Sequence, residues 1–117
     1  MDVLNEWLEK HRIIGLVANG REYDMPTERI VCRDGYSFSC QVNEYAYCNP
    51  RESGAFPYSS VELGFPNDRD KLIDIYAEDP KAEKDEDGNI ATVYGYVPVQ
   101  TVIKLIKKHG GFKDGPS

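Results

Sequence analysis

Apolar and polar positions along this chain follow two periods, one helical and one extended. Leu4, Trp7, Leu8 and His11 recur at i, i+3, i+4 and i+7 with Glu6, Glu9 and Lys10 between them. This predicts a first helix to about residue 12, capped by Asp2. At that spacing Trp7 reads as a core anchor, and His11 as a helix-end residue favoured by the macrodipole. Residues 13–18 form a short apolar run suited to a small edge strand, and Asn19-Gly20 marks a turn after it.

The period then becomes two. Residues 29–33 predict a strand, and Asp34-Gly35 a two-residue hairpin turn whose central positions need positive φ. In residues 36–42, Tyr36, Phe38, Cys40 and Val42 fall on one side and Ser37, Ser39 and Gln41 on the other. That alternation suits an antiparallel sheet with one buried and one wet face. Asn49-Pro50 and residues 54–57 predict a loop, and residues 58–65 a third strand with Val61, Leu63 and Phe65 toward the core.

After Pro66, Asn67 is a good N-cap with Asp68 and Asp70 in the following turn, predicting a helix to about Tyr76 that buries Leu72, Ile73 and Tyr76. Residues 90–97 predict a fourth strand, with Val93 and Val97 on one face and Thr92, Tyr94 and Tyr96 on the other. Pro98 suits the first position of a final helix whose buried stripe is Val99, Val102, Ile103 and Ile106. Lys104, Lys107 and Lys108 face outward, and His109-Gly110-Gly111 closes the helix. The order α-β-β-β-α-β-α predicts an α+β fold, an antiparallel sheet of about four strands with helices packed on one face. One domain is expected over residues 1–112, with a frayed tail at 113–117.

Composition narrows the function classes. A chain of 117 residues has the length of one domain, enough to bury roughly 65% of its unfolded surface without metal or disulfide staples. The net charge of −6 argues against direct binding to a phosphate backbone, which rests on clustered Lys and Arg. It suits basic protein partners instead, including proteins that themselves bind nucleic acid. Residues 78–88 hold six acids, Glu78, Asp79, Glu83, Asp85, Glu86 and Asp87, against two lysines, and read as a solvated, mobile loop. The N-terminal stretch carries acids and no long apolar core, so no signal peptide is expected. No run approaches the ~18 apolar residues of a membrane span. Three cysteines leave one unpaired by any single bridge, which fits a reducing, cytoplasmic setting.

Cys32, Cys40 and Cys48 stand eight residues apart. Zinc would want closely paired ligands and a fourth donor, whereas Cys32 and Cys40 in adjacent hairpin strands equally suit two small buried hydrophobes. Cys48 with His11 or His109 is a conceivable nucleophile pair, but only Arg51 stands near enough in sequence to depress the thiol pKa. Residues 85–88 lack the alternating spacing and terminal glutamate of a calcium loop. No phosphate-loop, dinucleotide, zincin or nucleophile-elbow motif is present, so no metal or cofactor is expected and an enzyme is the weaker class.

The tyrosines carry more. Tyr45, Tyr47, Asn49 and Arg51 alternate onto one side of an extended segment, and Tyr94 and Tyr96 repeat the pattern in the fourth strand. Brought together, they make an amphipathic surface that anchors a protein or stacks a nucleotide in a Tyr/Arg pocket. The plain alternative is that helices cover these rings and the phenol oxygens find backbone partners.

The D-G hairpin before an alternating strand, the Y-C-x-P-R block at 47–51, V-E-x-G-F-P at 61–66 and V-Y-G-Y-V-P-V at 93–99 together resemble a set of small uncharacterised proteins encoded in bacteriophages and prophages. The resemblance covers residues 29–111, and the acidic stretch at 81–87 looks longer here than in similar proteins. It brings no catalytic residues. It implies an accessory protein of a mobile element, acting inside a bacterium. The expected function is a non-enzymatic inhibitor of a host factor, anti-CRISPR-like, whose acids mimic phosphates before a basic nucleic-acid-binding surface. The alternative is a protein that sequesters a nucleotide.

Overall fold

The computed structural model describes residues 1–16 and 19–114. Val17 and Ala18, the end of the first apolar run, and residues 115–117 of the tail lie outside the described residues. Helix α1 spans Val3–Lys10, and Asp2 caps it by accepting the Asn5 N–H at 2.8 Å. Leu4 and Leu8 are fully buried, whereas Trp7 is half-buried and packs against the core from its edge, so it is not the central anchor its spacing suggests. Asn5 is buried as well. Its amide closes a reciprocal pair with the Tyr58 backbone, accepting the N–H at 2.7 Å and donating to the carbonyl at 3.0 Å.

Strands β1 (Ile13–Leu16) and β2 (Glu22–Met25) form a separate antiparallel hairpin with Ile13 opposite Met25. The main sheet runs β3 (Ile30–Val31), β4 (Ser37–Gln41), β5 (Ser60–Gly64) and β6 (Val93–Pro98) in that spatial order, antiparallel throughout. Helix α2 (Val99–Lys108) follows β6 directly. The core gathers Leu4 and Leu8 of α1, the inward residues Phe38, Cys40, Val61 and Leu63, and Val102, Leu105 and Ile106 of α2. Both helices therefore cover one face of the sheet, and the face carrying Ser39, Gln41 and Glu62 has none. The α+β fold is as expected.

Local details differ from the sequence pattern. The turn after β3 has three residues, because Cys32 pairs with Tyr36 (N–H to carbonyl, 2.8 Å) and Gly35 alone takes positive φ, at 94°. In that register Cys40 lies opposite Leu63 and Cys32 opposite Tyr36, so the two cysteines do not face each other across the hairpin. No α-helix forms over 67–76. Asn67 accepts the Ser37 N–H at 3.0 Å and donates to the Gly35 carbonyl at 2.9 Å, so its side chain ties the hairpin and caps nothing. Only a 3₁₀ turn at Asp74–Tyr76 remains, although Ile73 is fully buried. Phe65, expected inward, sits at φ 50° and is 42% exposed.

Residues 78–90 are more ordered than an acidic loop need be. Glu78 N–H donates to the Val93 carbonyl at 2.9 Å, Asp79 N–H to Thr92 Oγ1 at 3.0 Å, and Lys84 bridges to Ile90. Asp85 accepts the N–H groups of Asp87 and Asn89, and Ala82 and Ile90 are buried. This is a short hairpin anchored beside β6, with all six acids exposed. Both sheet edges are covered in the same way. Phe112 bridges Cys32 beyond β3, and Ala77 bridges Tyr94 beyond β6, which blocks strand addition there.

Candidate binding surface

A bulge in β6 decides where the tyrosines go. Val97 pairs with Val61 but Tyr94 with Leu63, so one extra residue stands opposite Glu62. Tyr94 points inward and is fully buried, contrary to the expectation that it shares a face with Tyr96. Strict alternation would bury Tyr96 too. Instead it takes φ 53°, turns outward and remains 49% exposed while Val97 returns to the core.

Tyr96 meets the segment after β4. Its N–H donates to the Tyr47 carbonyl at 2.9 Å, and the two rings lie 6.0 Å apart at 30°. Gly95 permits the approach, since a Cβ there would stand 3.2 Å from the Tyr47 Cβ. Arg51 reaches back over the Tyr47 ring at 5.5 Å and donates to the Tyr45 carbonyl at 3.3 Å. Tyr45 itself is almost wholly exposed. Asn49, also exposed, is absorbed in scaffolding: its backbone bridges Ser60 and its amide donates to Ser59 Oγ at 3.0 Å. Of the six residues singled out, Tyr45, Tyr47, Arg51 and Tyr96 form one patch, Asn49 flanks it, and Tyr94 is excluded.

Glu62 completes the patch without having been anticipated. It is half-buried on β5 opposite the bulge, and its carboxylate accepts the Tyr47 N–H at 3.4 Å. Burial raises its pKa, the Tyr47 N–H and Arg51 oppose that, and the nearby Glu78 adds to it. Alternation alone places Glu62 outward, between the inward Val61 and Leu63, but only the bulge places tyrosines around it. Of the 78–88 run, Glu78 acts electrostatically on Glu62; Asp79 and Asp85 build turns, accepting the N–H groups of Lys81, Asp87 and Asn89.

The catalytic candidates fare differently. Burial pushes the Cys32 thiol up to about 11 and raises Cys40 as well. Burial also raises Cys48, with Arg51 opposing only in part, and its Sγ lies 3.3 Å from both the Asn43 and the Pro50 carbonyl oxygens. All three cysteines are buried within the core cluster. Among the described residues, no group of three or more His, Cys, Asp or Glu could hold a metal ion.

His109 has Asp34 Oδ2 at 2.6 Å from Nδ1 and Asp70 Oδ2 at 2.9 Å from Nε2, and its ring stacks on Tyr36 at 4.0 Å. Lys108 joins Asp70 at 3.0 Å. With a carboxylate on each ring nitrogen, His109 is an imidazolium clamp between the α2 terminus, the β3–β4 turn and the segment after β5. Its role was missed because it depends on two carboxylates far away in sequence. His11 stacks on Trp7 at 4.0 Å, with Nδ1 against the Trp7 carbonyl and Nε2 against Glu28, beside a cleft of about 380 Å³ reaching Phe112. Neither histidine has an unengaged ring nitrogen.

Among the described residues, no helix is long and apolar enough to cross a membrane. Compared with protein-family models, curated proteins and solved structures, the chain matches none.

Proposed function

We propose that this chain is a non-enzymatic binding protein that docks on a host protein through the sheet face opposite its helices and inhibits it. The observation that carries this reading is Tyr96. An L-residue in the left-handed region costs about 1–2 kcal/mol, and here it leaves a large ring half in water against Tyr47. The same torsion returns Val97 to the core, and strained residues of this kind cluster at binding and active sites. Tyr and Arg are also the residue types that dominate binding hot spots. The partner is one with a basic surface, such as a nucleic-acid-binding protein. The patch centres on Glu62, Glu78 acts electrostatically on it, and the protein carries a charge of −6. The likeness of its motifs to phage-encoded proteins supplies the context of an anti-defence, anti-CRISPR-like accessory protein in a bacterial cytoplasm.

The nucleotide-sequestering alternative loses ground, because it needed Tyr94 beside Tyr96 and Tyr94 faces the core.

Capture from host lysate with immobilised protein tests the proposal. Wild type is expected to retain a protein whose recovery falls at least tenfold with Tyr47→Ala/Tyr96→Ala, the loss of about 2 kcal/mol typical of a hot spot. Retention of the same proteins by both would sink the tyrosine face. The phosphate-mimicry version is tested by Glu83→Gln/Asp85→Asn/Glu86→Gln/Asp87→Asn. These changes remove charge while keeping the hairpin's acceptors, and undiminished capture would reject mimicry.

A further inference from the structure

Beside the tyrosine pair, between β2 and the segment after β4, lies a niche of about 180 Å³. Asp24 and Glu62 line it together with Gln41, Asn43 and Tyr45, and no lysine, arginine or histidine is among its walls. The amide oxygens there are already engaged. Gln41 Oε1 accepts the Thr27 N–H at 3.2 Å, and Asn43 Oδ1 accepts those of Tyr45 and Ala46 at 2.8 Å. The two carboxylates are not saturated. Asp24 is 8% exposed at its side chain and takes Arg12 Nε on Oδ1 at 2.7 Å, while Oδ2 is buried with no partner among the described residues. Glu62 has only the long contact from the Tyr47 N–H and no ion pair among the described residues.

An unsatisfied buried carboxylate oxygen is costly. Asp24 shares one oxygen with Arg12, and Glu62 feels Arg51 without an ion pair among the described residues, so both carboxylates retain acceptor capacity for a further donor carrying positive charge. We propose that this niche receives one arginine side chain from the partner protein. The niche is smaller than the roughly 300–1,000 Å³ of small-molecule pockets, which suits a side-chain head and not a nucleotide. Asp24 and Glu62 come from different strands, so a planar guanidinium with its wide fork of five donors spans them better than a compact ammonium. Tyr45, also a lining residue, is the aromatic side chain on which the guanidinium would stack. The inference rests on the docking face proposed above and names what that face recognises.

The test titrates N-acetyl-arginine amide into ¹⁵N-labelled full-length protein, with the uncharged N-acetyl-citrulline amide and N-acetyl-lysine amide alongside. The arginine probe is expected to shift the amides of Asn43, Tyr45 and Glu62 saturably, the citrulline probe not at all. Glu62→Gln should weaken binding about tenfold, as expected for a lost charged hydrogen-bond partner. Asp24→Asn should do the same. Because Asp24 also holds Arg12, Glu62→Gln keeps the test valid if that variant fails to fold. Absence of saturable shifts, equal binding of citrulline, indifference to Glu62→Gln, or shifts confined to residues 78–88 would each overturn the niche. Equal binding of lysine would overturn the assignment to arginine. Capture lost in Tyr47→Ala/Tyr96→Ala but intact in Glu62→Gln rejects the niche and leaves the docking face standing. Capture intact in both rejects the face.

Discussion

Tyr94 and Tyr96 show how much one backbone torsion decides at the scale of a residue. The two rings differ by two positions, yet one is fully buried and the other half exposed. Tyr94 carries its hydroxyl into the core, where it has no hydrogen-bond partner among the described residues, and burial raises its pKa, with Asp74 adding to it and Arg69 opposing. A buried hydroxyl without a partner costs about 1–3 kcal/mol. Tyr94→Phe is therefore expected to raise unfolding stability by about 1 kcal/mol in urea titrations and to leave partner capture unchanged. Destabilisation by that amount would show that the hydroxyl is satisfied in solution. Residue-level reading of the sequence found the tyrosines as a group and could not separate these two, because a bulge leaves no mark in a pattern of aromatic residues.

Among the elements, β1, the strands of the main sheet and the terminal helices were legible; β2, which pairs with β1 in a separate hairpin, was not anticipated, and the expected middle helix is absent. The alternation in β4 and β5 and the stripe of α2 correspond to the buried sets, since burial on one face imposes those periods directly. The α2 stop was equally plain. Gly110 at φ 93° lets the Gly111 N–H reach the Ile106 carbonyl and the Gly110 N–H that of Lys107. Residues 67–76 carry capping residues whose side chains are claimed by the β3–β4 turn and by His109 and Lys108. Long-range partners thus outcompete local helix propensity. Asn5 is a similar case: it lies outside the apolar stripe, yet it joins α1 to the chain before β5. Asn5→Ala leaves both backbone groups of Tyr58 buried without partners, an expected loss of about 2–4 kcal/mol in urea unfolding. Asn5→Asp, which restores only the acceptor, is expected to recover little of it. A loss under 1 kcal/mol in the alanine variant would contradict this role.

The whole molecule has a pH signature set by the His109 clamp. Burial lowers the His109 pKa, but hydrogen bonds to Asp70 and Asp34 outweigh it, and the net shift is upward from 6.5. Stability from that shift is complete below the unfolded value of 6.5 and is lost as pH rises through the higher folded value. Asp34 is held below its usual 3.8 by the Tyr36 N–H and by His109. Burial raises Asp70, but the Leu72 N–H, His109 and Lys108 hold it below 3.8 as well. Their contributions are present above 3.8 and vanish as pH falls through the lower folded values. The melting temperature should therefore peak between about pH 4 and 6.5 and decline on both sides. His109→Gln is expected to lower that peak and to flatten the decline between pH 6.5 and 9. An unchanged alkaline slope would remove His109 as its source.

From sequence alone came the fold class, the inward faces of β4 and β5, the termini of α1 and α2, and a tyrosine–arginine group worth following. Each is written in local periods and caps, which burial on one face and unsatisfied helix ends dictate without knowledge of distant neighbours. Tertiary structure alone decided that Tyr94 is core and Tyr96 surface, that Asn67 ties a hairpin, that His109 is clamped, and that Glu62 and Asp24 share a niche. Those outcomes turn on a one-residue bulge and on hydrogen bonds between residues 15 to 75 positions apart. No local pattern encodes such pairings, because their free energy exists only once the sheet has closed.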